Sequence, residues 1–222
     1  MRNIRLFVVL FATAFILGSC TKNDDTTLTL LGTEGYVVDY DRYFHEIMAA
    51  VPSSQVNYFK EKLRIYEGNL PPKIEGEYVF GPKRRLASNV AASNWPLNVY
   101  EPNVYLKFSD QHNRVATMIH YEEFITETDT VYLRGSGERF VAYYIEDKEL
   151  EYGMNKVVIK RGVIYSGRIC NEGIKYLQYA TVIMDVQNDT NGAIETYPVG
   201  TFFIYEDDSY EGLAERKDWY NE

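Results

Sequence analysis

Residues 104–121, VYLKFSDQHNRVATMIHY, decide the fold class of this chain. Apolar residues alternate with polar ones in the first half, at Val104, Leu106 and Phe108. A polar turn follows at residues 110–113, and the alternation resumes with Val115, Thr117, Ile119 and Tyr121 on one face. A period of two is typical of a half-buried β-strand. The stretch therefore predicts an antiparallel hairpin with one face of each strand in a core.

The same pattern recurs along most of the chain. Further strand candidates are Glu75–Gly81, Val131–Leu133, Phe140–Tyr144, Val157–Tyr165, Ile174–Val186 and Val199–Glu206. A meander of eight antiparallel strands leaves two exposed edges unless it closes on itself. We therefore predict a mainly β fold, an eight-stranded antiparallel up-and-down barrel at residues 69–222. The interior of such a barrel is either packed or holds one small ligand.

Two short helices are predicted in residues 36–68, ahead of the barrel. Their apolar stripes are Phe44, Ile47, Met48 and Val51, then Val56, Phe59, Leu63 and Tyr66, at the spacing of amphipathic helices. Pro52 would end the first helix, Ser53 or Ser54 would cap the second, and Gly68 would terminate it. A short C-terminal helix is expected at Leu213–Tyr220.

The N-terminus has the parts of a secretory signal peptide, which we assign to residues 1–19. Arg2 and Arg5 precede an apolar run, Leu6–Leu17, that is shorter than the about 20 residues that span a bilayer. The sequence Leu17-Gly18-Ser19-Cys20 resembles the lipobox of bacterial lipoproteins. This resemblance implies cleavage before Cys20 and a diacylglyceryl group on its sulfur, so that the protein binds the membrane through lipid. The alternative is an ordinary signal peptide followed by a cysteine.

Residues 20–35 are interpreted as the lipidated cysteine and a flexible, polar tether. Lys22, Asp24 and Asp25 resemble the acidic export signal of Bacteroidetes lipoproteins, which implies an outer-membrane lipoprotein that faces the cell surface. A solvated linker, with the protein on the periplasmic face, is the alternative. Thr26 and Thr130 lie in short motifs that resemble the O-glycosylation site of Bacteroidetes secreted proteins.

Charge and cysteine content exclude several classes of function. The formal net charge is −9, and removal of Arg2 and Arg5 with the signal peptide makes it −11. An acidic protein is a poor ligand for nucleic acid, because phosphate contacts need Lys and Arg. With Cys20 lipidated, Cys170 is the only cysteine left, so no internal disulfide can form. We expect Cys170 to act as a small buried hydrophobe.

Two motifs carry a resemblance to a family. The stretch Pro71-Pro72-Lys73-Ile74-Glu75-Gly76-Glu77-Tyr78 and the late stretch Gly212-Leu213-Ala214-Glu215-Arg216 resemble the opening and ending of Bacteroidetes lipoproteins with lipocalin-like (calycin) barrels. That group is functionally obscure, so the resemblance implies the fold more than the function. Tyr78 stands where lipocalins proper have Trp, which puts in question whether an open ligand cup is retained.

A connection of about 20 residues, Pro82–Pro102, separates the first two strand candidates. Loops of this length are often lids or binding loops. Arg84, Arg85 and Trp95 lie in it, and a basic, aromatic lid could hold an anionic ligand. The alternative is a surface flap, or an extension of the first strand, with solvated charges.

Sequence motifs of catalysis are absent. The chain has no Gly-x-Ser-x-Gly elbow, P-loop or dinucleotide fingerprint, and His45, His112 and His120 do not form a metal-binding pattern. We predict no catalytic residue, no metal and no cofactor, with a hydrolase as a residual possibility. The first hypothesis is a surface-tethered protein that binds a small ligand, a lipid or glycan fragment, in or at the mouth of the barrel. The second is a structural or interaction protein with a packed barrel that contacts another envelope protein.

Overall fold

The computed structural model describes residues 39–122, 125–152, 155–189, 192, 197–209 and 212–217. The signal peptide, the tether and the predicted sites at Cys20, Lys22, Asp24, Asp25 and Thr26 lie outside these residues. Two helices come first, Arg42–Ala50 (α1) and Val56–Lys62 (α2), where two short helices were predicted.

Antiparallel strands make up most of the remaining chain. They are Gly76–Phe80 (β1), Lys83–Ser88 (β2), Tyr100–Glu101 (β3), Val104–His112 (β4), Val115–Glu122 (β5), Ile125–Ser136 (β6), Arg139–Tyr152 (β7), Asn155–Cys170 (β8), Gly173–Gln187 (β9), Phe202–Asp207 (β10) and Leu213–Arg216 (β11). The mainly β, antiparallel fold class is thus confirmed.

β1 and β2 pair with β4 and β3, respectively, in one shared register. Gly76 pairs with Phe108 in β1–β4, and the same register continues in β2–β3, where Arg84 pairs with Tyr100. β1 and β2 therefore behave as one long strand with a break at Gly81-Pro82, whose peptide bond is cis.

A ring of eight strands closes through the end of the chain. Its order is β11-β1-β4-β5-β6-β7-β8-β9, and β11 pairs with both β1 and β9. Further along, β10 pairs with β9 and β2. Since the last strand segments pair with the first, the meander has a distinct inside and outside.

The ring is not evenly closed. β7 pairs with β8 along its whole length, but β6 and β7 pair only from Tyr132–Tyr143 to Ser136–Arg139. Beyond Tyr132 and Tyr143 the two strands part. A cleft of about 570 Å³ lies there, between residues 127–129 of β6 and 145–149 of β7.

One end of the ring, called here the closed end, is filled with apolar side chains. It carries the β4–β5, β6–β7 and β8–β9 hairpins, and its core includes Ile74, Tyr78, Phe108, Met118, Leu133, Phe140, Leu177 and Ala214, each 2% exposed or less. The segment before β1 crosses this end: Gly135 N donates to Gly68 O at 2.9 Å, and Ile74 N donates to Gln111 Oε1 at 2.8 Å.

The helices form a second core on the outside of the ring. Buried residues of this cluster include Phe44, Ile47, Val51, Phe59 and Leu63 from the helical segment, and Val141, Ile164, Ala180, Val182, Phe202 and Ile204 from the strands. Ile47 lies directly on β8: a Cβ added at Gly162 would be 2.4 Å from Ile47 Cγ1. Glycine at 162 therefore lets α1 approach the sheet.

Several sequence predictions are wrong in detail. Leu213–Arg216 is a strand, not the start of a C-terminal helix, because it pairs with β1 and β9; residues 218–222 lie outside the described part. α2 ends at Lys62, well before Gly68, and neither helix has a side-chain N-cap hydrogen bond. Cys170 is half-buried rather than buried, and its Sγ lies 3.3 Å from Gly173 O.

The inner face of β5 is the opposite of the predicted one. Val115 and Ile119 point outward, while Ala116, Met118 and His120 form the buried inner face.

We expect Ile47→Ala to lower the free energy of unfolding by about 2–5 kcal/mol, because it removes a fully buried side chain and leaves a cavity over Gly162. Chemical denaturation of the full-length protein measures this difference. The control Leu70→Ala, at a side chain 78% exposed, should change it by roughly 0.5 kcal/mol or less. Equal effects of the two variants would contradict the docking of α1 on β8.

Candidate functional site

The inner face changes character halfway along the ring. Along β5, β6, β7 and β8, every second residue faces the interior. These inner residues are apolar near the closed end and charged or polar farther along the strands. We call the inward-facing charged or polar residues beyond the apolar core of the closed end the polar chamber: Lys83, Arg85, Glu101, His120, Glu122, Glu127, Asp129, Glu146, Lys148 and Arg161.

Solvent reaches the polar chamber. The side chains of Arg85, Glu101 and Arg161 are each 22% exposed, and that of Lys148 is 29% exposed, although all face inward. At the closed end, Phe140 and Met118 are fully buried. The closed end is therefore packed, and solvent reaches part of the charged interior. Beyond Arg161 along β8, Val157 and Ile159 are buried again, in an apolar cluster with Ile183.

Cations and carboxylates are paired in the chamber. Lys83 contacts Glu122 and lies 3.9 Å from Glu101, which also accepts from Arg85 Nε at 2.7 Å. Across the chamber, Lys148 Nζ lies 2.8 Å from Glu127 Oε1. Arg161 contacts Glu146, and its Nη2 lies 3.8 Å from Glu127 Oε2.

These pairings shift the pKa values of their members. Burial tends to raise the pKa of Glu127, but the hydrogen bond from Lys148 and the charges of Lys148 and Arg161 lower it below its usual value. Burial tends to lower the pKa of Arg161, yet Tyr179 and Glu146 raise it above the ordinary arginine value. Both groups are therefore ionised.

Asp129 is a chamber carboxylate whose pKa is raised. Burial, then the charges of Glu146 and Glu127, raise it to about 6, and the charges of Arg161 and Lys148 oppose the shift. Its Oδ2 is buried and has no hydrogen-bond partner among the described residues, although the residue as a whole is only partly buried. A carboxylate oxygen without a hydrogen bond is unfavourable, so Asp129 is a candidate binding group.

His120 is the second incompletely bonded group. Its side chain is 9% exposed, its Nδ1 lies 3.4 Å from the hydroxyl of Tyr165, and its Nε2 is buried without a hydrogen-bond partner in the described part of the chain. Burial lowers its pKa to about 4, against the opposing effects of Glu122 and Glu127. The imidazole is therefore neutral at physiological pH.

An aromatic row forms one wall of the chamber. Tyr165, Tyr179 and Tyr205 are direct cross-strand neighbours on β8, β9 and β10, with ring centroids 4.9 and 5.6 Å apart. Trp95 continues the row, with its ring 5.6 Å from Tyr205. Because the three tyrosine rings lie against one another, the wall places ring edges and hydroxyl groups beside charged groups.

Residues 83–88 of the predicted loop Pro82–Pro102 form β2, which continues β1 and pairs with β10. The lid interpretation is therefore wrong for these residues, and the alternative of an extension of the first strand is correct. Arg84 faces outward, contacts Glu206 and lies 2.9 Å from Asp208. Arg85 faces inward and lies 5.2 Å over the ring of Trp95, which is 6% exposed. The structure therefore joins Arg85 and Trp95 at the chamber wall but separates Arg84 from them.

Thr130 lies exposed on β6, opposite Thr117, and its O-glycosylation stays a prediction.

The sequence analysis missed His120 as a buried residue, and also missed Asp129, Glu146 and Arg161. The sequence of β7 could have indicated the charged interior. Its residues with a period of two change from apolar Phe140 and Ala142 to charged Glu146 and Lys148. A strand face that turns charged midway indicates the point where a core ends.

No protein-family model, curated protein or solved structure matches this chain. Among the described residues, no group of three or more His, Cys, Asp or Glu side chains is placed to hold a metal ion. In the same residues, no helix is both long and apolar enough to cross a membrane.

We expect acidification to destabilise the protein through His120. Its folded pKa of about 4 lies below the unfolded value of 6.5, so between these values the unfolded state binds the proton first and stability falls as pH falls. Denaturation curves of the wild type and His120→Gln, recorded across this range, measure the effect. The wild type should lose roughly 3 kcal/mol relative to the variant.

The prediction concerns the difference in unfolding free energy between the wild type and His120→Gln. Titration of Asp129 has the opposite effect on stability as the pH falls, and it is present in both proteins. Its pKa is raised, so protonation of Asp129 favours the folded state in the same pH range in both proteins. Parallel pH profiles for wild type and His120→Gln would contradict the neutral, buried state of His120.

Proposed function

We propose that this protein is a non-catalytic binding protein that holds a small polar ligand, a glycan fragment, in the polar chamber of a lipocalin-like barrel. The observation that carries the proposal is the change in residue type and exposure along the inner face of the ring. Phe140 at the closed end is fully buried, whereas Arg161 in the chamber is charged and partly exposed to solvent. A barrel with only a structural role gains nothing from a charged interior, since apolar side chains of similar volume are often equally stabilising or better.

The chemistry of the chamber favours a glycan over a lipid among the two ligands expected from the sequence. Sugar rings pack against aromatic side chains, and the partly exposed Tyr179 and Tyr205 lie beside the chamber, while sugar hydroxyl groups bond to charged side chains. An acyl chain would instead desolvate the charged groups of the chamber without forming hydrogen bonds with them. The cleft beside the chamber, about 570 Å³, is within the size range of small-molecule sites.

A lipid on Cys20 would anchor this binding protein to the outer membrane. The acidic stretch at Lys22, Asp24 and Asp25 supports a position on the cell surface, and the periplasmic face is the alternative. An outward-facing ligand-binding barrel on a polar tether is consistent with capture of glycan fragments outside the cell.

A structural or interaction protein is the second candidate, and exposed tyrosines favour it. Tyr105 and Tyr121 lie directly opposite each other on the outer face of β4 and β5, and each is 38% exposed. Exposed aromatic patches are typical of protein-contact surfaces. In this alternative the polar chamber would hold only water, and an envelope protein would be the partner.

We expect native mass spectrometry of the full-length chain, purified gently in detergent from a host with an outer membrane, to reveal a discrete extra mass that is lost on denaturation. Tyr179→Ala should reduce the occupancy, because it removes the middle ring of the aromatic wall. Tyr179→Phe, which keeps the ring, should retain the ligand.

Tyr121→Ala is the matched control, since it removes an exposed ring from the outer face. The bare polypeptide mass in every preparation would overturn the binding proposal and favour the interaction protein.

We expect Cys20→Ser to abolish lipid attachment, because the thiol is the lipidated group, and to release the protein from the membrane fraction. Intact-mass measurement and cell fractionation test this. Cys170→Ser is the control, and it should remain lipidated and membrane-bound. If Cys20→Ser fractionates like the wild type, the N-terminus is an ordinary signal peptide.

A further inference from the structure

We propose that Arg134 and Arg139 form a binding site for a phosphate group on the outer surface of the closed end. Both arginines lie in the β6–β7 hairpin, outside the polar chamber, so the inference goes beyond the proposed function and does not depend on it. Within the described residues, neither guanidinium group has a hydrogen-bond acceptor or an ion-pair partner.

Arginines that stack on aromatic rings fall into two groups in the described part of the chain. Four of the six also donate a hydrogen bond to a protein oxygen: Arg64 to Tyr176 O, Arg85 to Glu101, Arg114 to Leu133 O and Arg216 to Glu75 O. Arg134 and Arg139 have only their rings, those of Phe44 at 4.5 Å and Tyr66 at 5.6 Å. A guanidinium group has five N–H donors, so these two side chains can donate to a ligand.

The two arginines are neighbours on one face of the hairpin. Ser136 lies directly opposite Arg139, and Val141 lies directly opposite Arg134, so the two arginines are diagonal cross-strand neighbours. Val141 belongs to the core beneath the helices, which places this face on the outside of the ring. Diagonal neighbours are about 7–8 Å apart, a separation that long side chains span. One small ligand can therefore contact both guanidinium groups.

Packing orders both side chains before a ligand arrives. Phe44 comes from α1, and Tyr66 comes from the segment between α2 and the crossing at Gly68. Arg134 is partly buried, and its Nε is fully buried without a hydrogen-bond partner in the described chain. The terminal amino groups of Arg134 are therefore the donors that a ligand reaches. Side chains that are already ordered lose less entropy on binding.

The carboxylates around the pair are bonded elsewhere or stand apart. Asp41 interacts electrostatically with one of the two arginines, but its ion pair and hydrogen bond are with Arg114. Glu138, in the hairpin turn, pairs with Arg168. Glu67 is exposed and forms no ion pair with a described residue. The donors of the pair are therefore not used by these carboxylates.

A phosphate group matches the pair better than a carboxylate or a hydroxyl group does. Its tetrahedral oxygens can accept from two guanidinium forks, each of which binds phosphate in a planar, bidentate way. A carboxylate has two oxygens and fills one fork. An uncharged hydroxyl group accepts a hydrogen bond but leaves both positive charges uncompensated. Two sources carry this group, free phosphate and the head group of a phospholipid.

Isothermal titration of the full-length protein in a nonionic detergent tests the site. The probes are sodium phosphate and glycerophosphoglycerol, a water-soluble phospholipid head group, with sodium chloride at equal ionic strength as the blank. We expect saturable binding that Arg139→Gln weakens about ten- to a hundredfold, as for the loss of charge-assisted hydrogen bonds. Arg134→Lys, which keeps the charge and loses the fork, should also weaken binding.

Arg64→Gln is the matched control. It removes a ring-stacked arginine that already donates to Tyr176 O, changes the net charge by the same amount and should leave the affinity unchanged. Arg139 is exposed, so Arg139→Gln removes no buried group and should unfold at the same denaturant concentration as the wild type.

The outcomes separate the site from general attraction between charges. Absence of saturable binding of both probes overturns the site. Equal weakening by Arg64→Gln and Arg139→Gln also overturns it, because the attraction then belongs to the whole surface. Tighter binding of glycerophosphoglycerol than of phosphate supports the site and identifies a lipid head group as the source, whereas equal or weaker binding supports the site with free phosphate as the source. Native mass spectrometry decides the proposed function independently of these results.

Discussion

Pairing of the last strand segments with the first is the constraint on which the rest of the structure depends. β10 pairs with β2 through Asp207–Lys83, and β11 pairs with β1 through Tyr78–Arg216. The Asp207 carboxylate also accepts from Gly81 N at 2.8 Å, at the break between β1 and β2. These contacts close the meander by pairing its terminal strands and define an inside that side chains must either fill or solvate.

The interior of the ring has a packed part and a solvated part. At the closed end, large side chains fill the ring and the segment before β1 crosses it. In the polar chamber, the inner positions carry ion pairs, and solvent reaches some of them. β6 and β7 part beside the chamber, where the inner face of β6 turns from Leu133 and Val131 to Asp129 and Glu127. The charged stretches of β6 and β7 keep their pairing with β5 and β8, so the loss of pairing is confined to the contact between β6 and β7.

The sequence predicted the parts of this fold that local patterns encode. Alternation in residues 104–121 and 140–144 and the stripes around Ile47 and Phe59 identified strands and helices correctly. β2 was predicted only as an alternative, an extension of the first strand, because Lys83, Arg84 and Arg85 form a charged run, and the carboxylates that neutralise them, Glu101 and Glu206, lie on partner strands. β11 was missed for a related reason, since its conformation depends on partners more than 35 residues away in the chain.

The candidate site was less predictable than the fold because it consists of cross-strand neighbours. On β5, the apolar residues Val115 and Ile119 suggested the opposite inner face and left His120 unassigned. A closed ring with a second core outside it has apolar residues on both faces of a strand, so alternation alone cannot tell which face is inside.

The charged half of the interior costs stability that a packed core would not. Removing ions from water is unfavourable unless each is paired and hydrogen-bonded, and Asp129 and His120 are incompletely bonded within the described chain. A protein that needed only a rigid barrel could extend its apolar core through these positions, as it does at Phe140 and Met118. The retained polar groups belong to the polar chamber, and Asp129 borders a stretch where β6 and β7 part. Unbonded polar groups in a charged interior are what a ligand site requires before its ligand arrives, and this is the physical basis of the proposed binding role.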